Sequence, residues 1–178
     1  MKLVILGPPG SGKGTQAELL AKDLNLKHII ASEFIKKEAA KKTILGKKIK
    51  SYIDKGDLVP KEIVHKLIDN KVPKNNYILD GYPRRIESAI KLDKSNPPEK
   101  VIFLEVPTKV LKKRLLKRAK IEGRSDDTPK VIDNRFKVYK KETEPLLNYY
   151  KKNLIKINGN RRSELIEKDL LKILKKWM

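Results

Sequence analysis

The sequence contains no cysteine, which excludes disulfide bonds and metal sites built on thiolates. Its two histidines, His28 and His65, stand far apart, and we interpret each as a packing or surface residue. No apolar run approaches the roughly 20 residues that a membrane-spanning helix needs. The chain also enters a strand pattern at Leu3 without a charged leader. We therefore expect a single-domain cytoplasmic protein with no membrane partner.

Acidic residues are scarce beside basic ones. The chain has 22 Asp and Glu against 43 Lys and Arg, a net charge of +21, and a surface so basic attracts nucleic acid. Only eight of the 43 are arginines, however, and the lysines are scattered along almost every predicted helix rather than collected in one arm. This distribution favours a solvated lysine-rich surface over nucleic-acid binding.

A glycine-rich segment at residues 7–17 carries the strongest signal. It reads Gly-Pro-Pro-Gly-Ser-Gly-Lys-Gly-Thr-Gln-Ala and lies between the apolar run Leu3–Leu6 and a helical pattern. Glycines let consecutive N–H groups converge on one anion, and the N-terminus of the following helix adds partial positive charge. Lys13 supplies a full charge, although Gly14 follows it where Ser or Thr is usual and Thr15 comes one place later. The segment predicts a nucleoside triphosphate site rather than a plain turn.

Short apolar strand patterns alternate with helical patterns along the chain. This alternation predicts an α/β fold with a doubly wound, five-stranded parallel sheet that binds ligands at the carboxyl ends of its strands. The strand candidates are Leu3–Leu6, His28–Ile30, Tyr77–Leu79, Val101–Val106 and Leu154–Ile157.

Two stretches do not fit a minimal crossover between strands. Residues 30–59 contain more helical patterns than one crossover between strands needs. They therefore predict a helical insertion that clamps a substrate. Residues 118–127 carry Gly123 and predict a short lid between two helices. The remaining segments, 1–29, 60–117 and 128–178, form the predicted core of one domain.

The arginines lie near the predicted ligand edge of the sheet. In a chain so rich in lysine, the planar guanidinium fork at these positions indicates bidentate recognition of phosphate, with structural ion pairs as the alternative, above all for Arg114. The arginines concerned are Arg84, Arg114, Arg118, Arg124 and Arg135.

Five motifs occur in a characteristic order: Gly7–Ala17, Leu58-Val59, Asp80-Gly81-Tyr82-Pro83-Arg84, Arg114-x-x-x-Arg118, and Arg124-Ser125-Asp126-Asp127 followed by Arg135. In order and spacing they resemble the adenylate kinase family over nearly the whole chain. The resemblance implies a P-loop kinase fold and transfer of the terminal phosphoryl group of ATP to AMP, which gives two ADP, with Mg²⁺ as cofactor. It makes 30–59 the clamp that binds the nucleoside monophosphate (NMP). The short lid resembles members without a zinc site, so no zinc is expected, and we expect a monomer.

The resemblance also implies roles for individual residues. Asp80 resembles the acidic residue that orients Mg²⁺ through water, with a capping role as the alternative. The implied donor site comprises Gly10, Ser11, Gly12, Lys13, Gly14, Thr15, Arg118 and the backbone near Arg161. The implied catalytic cations are Lys13, Arg84, Arg118, Arg124 and Arg135. The implied acceptor site comprises Ala31, Lys36, Asp57, Leu58, Val59, Gly81, Arg84, Ser88, Arg124 and Arg135.

Two departures from the family pattern concern the acceptor. Residues 30–36 read Ile-Ala-Ser-Glu-Phe-Ile-Lys, where adenylate kinases usually have Ser-Thr-Gly-Asp-hydrophobic-Leu-Arg, and Ser88 replaces a glutamine that reads the adenine edge. These losses leave UMP, CMP or several monophosphates as alternative acceptors, since base discrimination depends on such polar partners. Two other classes stay open from the sequence: a P-loop ATPase that acts on a nucleic-acid or protein partner, and a nucleotide-binding protein without catalysis.

Overall fold

The computed structural model describes residues 1–122 and 127–177, apart from the side chain of Glu122. Five strands form one parallel sheet in the order β2-β3-β1-β4-β5. Each strand agrees with its predicted range to within one residue at either end, which confirms the predicted α/β fold and five-stranded parallel sheet. The strands are β1 Lys2–Leu6, β2 Lys27–Ile30, β3 Tyr77–Asp80, β4 Lys100–Glu105 and β5 Leu154–Asn158.

Helices connect the strands and cover both faces of the sheet. None of the helices in the described ranges combines the length and the apolar character that crossing a membrane requires. The α-helices are α1 Lys13–Asp23, α2 Ala31–Ala39, α3 Ile44–Lys55, α4 Lys61–Ile68, α5 Ile86–Ser95, α6 Thr108–Glu122, α7 Pro129–Val138, α8 Leu146–Tyr149 and α9 Ser163–Leu174. Short 3₁₀ turns follow α4 and α9 at Asp69–Lys71 and Lys175–Trp177, and a π-helical segment follows α7 at Tyr139–Thr143.

The hydrophobic core lies on both sides of the sheet. Along β1, Leu3 and Ile5 point to a cluster completed by α1 and α9, whereas Val4 and Leu6 point to a cluster completed by α4, α5 and α8. This alternation follows from the two-residue period of a strand, and burial on both faces is typical of parallel sheets. Because helices occupy both faces, the carboxyl edge of the strands is the place where the fold opens to a ligand.

The predicted insertion at 30–59 contains α2 and α3. Thr43 begins α3, since its Oγ1 accepts a hydrogen bond from the Gly46 N–H at 3.0 Å. Gly56 ends α3 in the left-handed conformation, with φ of 78°. A Cβ at Gly56 would also lie only 2.9 Å from Cγ of Arg135. Both the backbone conformation and the lack of space therefore disfavour a side chain at this position. The junction therefore fixes the end of the insertion against α7.

The predicted short lid falls partly outside the described residues. Helix α6 continues past Arg118 to Glu122, so Arg118 lies on the helix. Arg124, for which the sequence predicts a role in binding and catalysis, lies outside the described residues.

Candidate active site

A cavity of about 490 Å³ opens at the carboxyl ends of β1 and β3. Among the predicted site residues that the structure describes, Ala31 and Arg161 do not line this cavity. Ala31 is buried at the start of α2, and Arg161 instead donates to Asp169 Oδ2 at 2.7 Å. The predicted residues that the structure brings together around the cavity are Gly10, Ser11, Gly12, Lys13, Gly14, Thr15, Lys36, Asp57, Leu58, Val59, Asp80, Gly81, Arg84, Ser88, Arg118 and Arg135.

The glycine loop connects β1 directly to α1. Gly10 and Gly12 have left-handed backbones, with φ of 80° and 91°. A Cβ at Gly10 would lie 3.0 Å from Cγ of Leu115, so α6 packs too closely for a side chain. Because the N-cap of α1 is Gly12, it has no side chain to satisfy the first-turn N–H groups of the helix. These donors and the dipole of α1 suit an anion at the floor of the cavity.

The side chain of Lys13, in the first turn of α1, folds back onto the glycine loop. Its Nζ donates to the carbonyl oxygens of Gly7 at 2.7 Å and Pro8 at 3.0 Å. Burial lowers the pKa of Lys13 to about 7; Asp80 opposes this shift, and Arg84 is the strongest of three nearby arginines that add to it. The amine therefore lies beside one carboxylate and three guanidinium groups, an environment that suits a polyanion.

Asp80 and Arg84 lie at the end of β3 and in the loop that follows. Burial alone would raise the pKa of Asp80, but His28 and the cations of Lys13 and Arg84 outweigh burial and lower it. Asp80 is thus a carboxylate, and its Oδ2 lies 3.8 Å from Nε2 of His28. Arg84 donates from Nε to the Gly81 carbonyl at 3.1 Å, and a Cβ at Gly81 would lie 3.2 Å from Arg84 Nη2. The absence of a side chain at Gly81 leaves room for the guanidinium.

Asp127 holds two of the predicted phosphate-binding arginines. Its side chain is fully buried and accepts from Arg118 Nε at 2.7 Å, Arg118 Nη2 at 3.0 Å and Arg135 Nη1 at 2.6 Å. One carboxylate therefore aligns guanidinium groups from α6 and α7 beside the cavity. The sequence indicated Asp127 as part of a motif but gave it no role of its own.

Ser88 lies in the first turn of α5 and is one of the residues that line the cavity. Its Oγ is 3.0 Å from Nε2 of His65, and the His65 ring packs edge-on against Tyr82 at 6.1 Å between centroids. Burial, reinforced by Lys91, lowers the pKa of His65, so this histidine is neutral at neutral pH. His65, which the sequence led us to interpret as a packing or surface residue, thus contacts Ser88 and Tyr82, and the contact with Ser88 was not predicted.

The loop between α3 and α4 is tied to the core by two side chains that sequence reasoning missed. Asn134 donates from Nδ2 to Asp57 Oδ1 at 2.7 Å and to the Lys55 carbonyl at 2.8 Å. Arg85 donates to the carbonyl oxygens of Leu58 and Val59. The paired arginines at 84 and 85 are a possible sequence signal, but nothing local distinguishes the role of the second from that of the first.

The backbone beside Arg161 is also fixed from the core. Arg114 directs both terminal nitrogens to the Gly159 carbonyl at 3.3 Å, and Gln16 donates to the Ser163 carbonyl at 3.0 Å. Arg114 thus makes a structural contact with a carbonyl group, whereas its alternative interpretation expected an ion pair, and it also lines the cavity. These contacts place the 159–163 segment next to α1 and α6.

The fold and the cavity together define the class of the protein. A parallel sheet, a glycine loop with its lysine, and arginines that converge on the opposite wall are the arrangement of a P-loop kinase that acts on nucleotides. The family model for adenylate kinase matches residues 5–155. The chain therefore belongs to the adenylate kinase family.

Individual relatives support this assignment over most of the chain. The adenylate kinase of Mycolicibacterium smegmatis is 42% identical over 164 residues, which cover 89% of this chain and 91% of the relative. Adenylate kinase 1 of a Nostoc species is 37% identical over 180 residues, covering 95% and 96%. The adenylate kinase of Bifidobacterium longum is 41% identical over 170 residues, covering 89% and 91%. The predicted family and its kinase activity toward nucleotides are confirmed.

Proposed function

We propose that the chain holds ATP and AMP end to end across the cavity and transfers the terminal phosphoryl group between them. The observation that carries this proposal is the convergence of Lys13, Arg84, Arg118 and Arg135 on one cavity, close enough for the arginines to depress the pKa of the lysine. One phosphate would not need cations on both walls, whereas two nucleotides that meet at their phosphates would.

The donor side of the proposed site is the glycine loop with α6. Main-chain N–H groups from Gly10 to Thr15 would bind the ATP phosphates, and Lys13 would follow the group in transfer. Arg118, held by Asp127, would contact the same phosphates from α6. The 159–163 backbone beside Arg161 would border the adenine of ATP, because Arg114 and Gln16 hold this segment near the loop.

The acceptor side is the wall formed by α2, the 57–59 loop and the residues after β3. Arg84 and Arg135 would grip the AMP phosphate, with Arg124 as a further candidate and Lys36 as a point charge. Leu58, Val59, Gly81, Asp57 and Ser88 would surround the base and ribose, with Ala31 at the start of α2 behind them. The Ser88 hydroxyl can both donate and accept, so it can read part of a base edge.

This set of residues accounts for catalysis without a general base. The acceptor is a phosphate oxygen that is already ionised at neutral pH, so no proton has to be removed from it. The difficulty lies in bringing two polyanions into line, and fixed cations offset their repulsion and stabilise the charge of the transition state.

Asp80 suits Mg²⁺ that arrives with ATP. Within residues 1–122 and 127–177, no group of three or more His, Cys, Asp and Glu side chains is arranged to hold a metal. Mg²⁺ bound through phosphates needs fewer protein ligands, because it keeps several waters and takes one or two carboxylates. Asp80 is an ionised carboxylate, because its pKa is lowered. It also lies beside the glycine loop, since a Cβ at Gly14 would be 3.5 Å from its Oδ2. When bound, the ion would supply charge neutralisation on the transferring phosphate.

We propose that 30–59 and 118–127 move over the substrates while 1–29, 60–117 and 128–178 form the core. Closure of this kind excludes water and prevents hydrolysis of ATP, and adenylate kinases are a well-known case. We also propose that the protein acts as a monomer on small nucleotides. The proposed location is the cytoplasm.

A coupled assay tests the proposed function against its alternatives. We expect ADP to form from ATP and AMP with Mg²⁺, and faster with AMP than with CMP, UMP or GMP. A P-loop ATPase would instead release phosphate from ATP and Mg²⁺ alone. Absence of ADP with all four monophosphates would contradict the proposed transfer.

Replacing Lys36 with arginine should lower the KM for AMP by about threefold. The fork of arginine can contact two phosphate oxygens, whereas the lysine ammonium acts as a point charge. The matched control is Lys37→Arg, one residue further along α2 and outside the cavity lining. An unchanged KM in Lys36→Arg would mean that this residue does not touch the acceptor.

Binding of ATP should be accompanied by proton uptake at pH 8. The pKa of Lys13 is about 7 without nucleotide, so the amine is mostly neutral at pH 8, and phosphates would raise its pKa and make it bind a proton. Titration calorimetry in two buffers of different ionisation enthalpy measures this uptake, which Lys13→Ala should abolish. Equal heats in both buffers for the unmodified protein would contradict the placement of Lys13 against the phosphates.

A further inference from the structure

Arg85 follows Arg84 in the chain but serves a different part of the cavity. Its backbone is extended, with φ of −138° and ψ of 154°, and neighbouring side chains of an extended segment point to opposite sides. Arg84 contacts the Gly81 carbonyl, whereas Arg85 reaches the loop between α3 and α4. Two adjacent guanidinium groups therefore act on the two halves of the proposed acceptor site.

The guanidinium of Arg85 uses three nitrogens at once. Nη1 donates to the Val59 carbonyl at 2.9 Å, Nη2 to the Leu58 carbonyl at 3.3 Å, and Nε to Glu142 Oε2 at 3.3 Å. Only a planar fork with donors on several nitrogens can satisfy two successive carbonyl groups and a carboxylate together. Lysine, with one nitrogen, cannot reproduce this set.

The loop that Arg85 holds lines the cavity, and Asn134 ties its first residue, Asp57, to α7. Leu58 and Val59 both face the cavity, between Gly56, which ends α3, and Pro60, which precedes α4 and has no N–H group to donate. The carbonyl groups of Leu58 and Val59 are thus the points at which Arg85 attaches this wall to the core.

The π-helical segment connects Arg85 to Arg84. Thr143 Oγ1 donates to the Arg84 carbonyl at 3.0 Å, and the preceding residue, Glu142, accepts from Arg85. One short element therefore fixes the backbone of Arg84, the proposed phosphate-binding arginine, and the side chain that carries the 58–59 wall. Irregular segments of this kind occur often at functional sites.

We propose that Arg85 is a positioning residue for the acceptor nucleotide: with Glu142, it sets the distance between the Leu58–Val59 wall and Arg84. This inference rests on the proposed function, because it assigns the cavity between them to the acceptor. The base and the phosphate of the acceptor then have a fixed separation that the core determines, and the donor site is independent of it.

The test compares the kinetics of variants toward AMP and toward ATP. We expect Arg85→Met to raise the KM for AMP about tenfold, because two charge-assisted hydrogen bonds to the wall are lost. The KM for ATP should change less than about twofold, since the contacts that the structure describes for Arg85 are to Leu58, Val59 and Glu142, outside the proposed ATP site. Arg85→Lys keeps the charge without the planar fork, so its KM for AMP should lie between those of the unmodified protein and Arg85→Met. Glu142→Gln should raise the KM for AMP by a smaller factor than Arg85→Met does.

Lys112→Met is the matched control, because it also removes one cation from an ion pair. Lys112 lies on α6, its side chain is 48% exposed, and its ion-pair partner is Asp133 on α7, away from the cavity lining. This variant should keep both KM values.

Hydrogen exchange provides a second readout that does not depend on turnover. The amides of residues 57–59 should exchange faster in Arg85→Met and Arg85→Lys than in the unmodified protein, with α9 unchanged. A variant that fails to fold is replaced by Glu142→Gln, which leaves the carbonyl contacts of Arg85 in place.

An unchanged KM for AMP in folded Arg85→Met, or equal rises in the KM for AMP and for ATP, would overturn the inference and leave Arg85 a structural residue. These outcomes can be told apart from failure of the proposed function, because the unmodified protein would then make no ADP from ATP and AMP.

Discussion

Replacing Lys13 with alanine should lower kcat by about 10³-fold, which is the scale of losing one preorganised donor to a developing charge. Nζ of Lys13 already lies over the glycine loop, 2.7 Å from the Gly7 carbonyl. Phosphates bound to that loop would meet the amine directly, so its loss would be felt most where charge builds on the transferring group. The measurement is kcat in the coupled assay with saturating ATP and AMP.

The same substitution should leave the fold intact. The pKa of Lys13 is lowered from 10.5 to about 7, so the unfolded chain binds this proton more tightly than the folded chain does. The resulting penalty on folding is full below pH 7 and disappears above pH 10.5. Lys13→Ala removes this penalty, and thermal melting at pH 7 should show an equal or higher Tm. A Tm well below that of the unmodified protein, or near-normal kcat, would contradict the role of Lys13.

Replacing Arg84 with alanine should lower kcat/KM for AMP by roughly 10³-fold or more, the range in which single arginines act in phosphoryl transfer. Arg84 is held by the Gly81 carbonyl and lies beside Asp80, where the acceptor phosphate would meet the donor. Burial lowers the pKa of its guanidinium and Asp80 opposes this shift, so the charge is poorly solvated before an anion arrives. Initial rates over a range of AMP concentrations measure the loss.

Arg84→Lys is the control for charge without the fork. We expect it to recover only part of the activity, because one ammonium cannot contact two oxygens of a phosphate in the same plane. Binding of ATP alone should be nearly unchanged in both variants. Near-normal turnover with AMP in Arg84→Ala would contradict the proposed acceptor site.

The sheet and the glycine loop could be predicted because their signals are local. Apolar runs bounded by turns gave every strand to within one residue, and the loop lies between a strand and a helix in sequence as in space. The helix around Arg118 continues further than predicted, since residues 119–122 contain no helix breaker before Gly123. Local propensity governs all three features.

The contacts that organise the cavity could not be predicted in the same way. Arg85 meets Glu142 from 57 residues away, and Asn134 meets Asp57 from 77 residues away. Charged and amide side chains are common in this sequence, and no local pattern tells which of them will find a partner across the fold. The pairing of Ser88 with His65 is of the same kind: two helices bring together side chains that look unrelated in sequence.

A crystal structure with a dinucleoside pentaphosphate, two adenosines joined through five phosphates, would show directly whether two nucleotides meet in this cavity. We expect one adenosine beside the 159–163 segment, the other against Leu58, Val59 and Ser88, and the phosphate chain between Lys13 and Arg84. A ligand that occupies the glycine loop alone, with its second adenosine in solvent, would contradict this expectation.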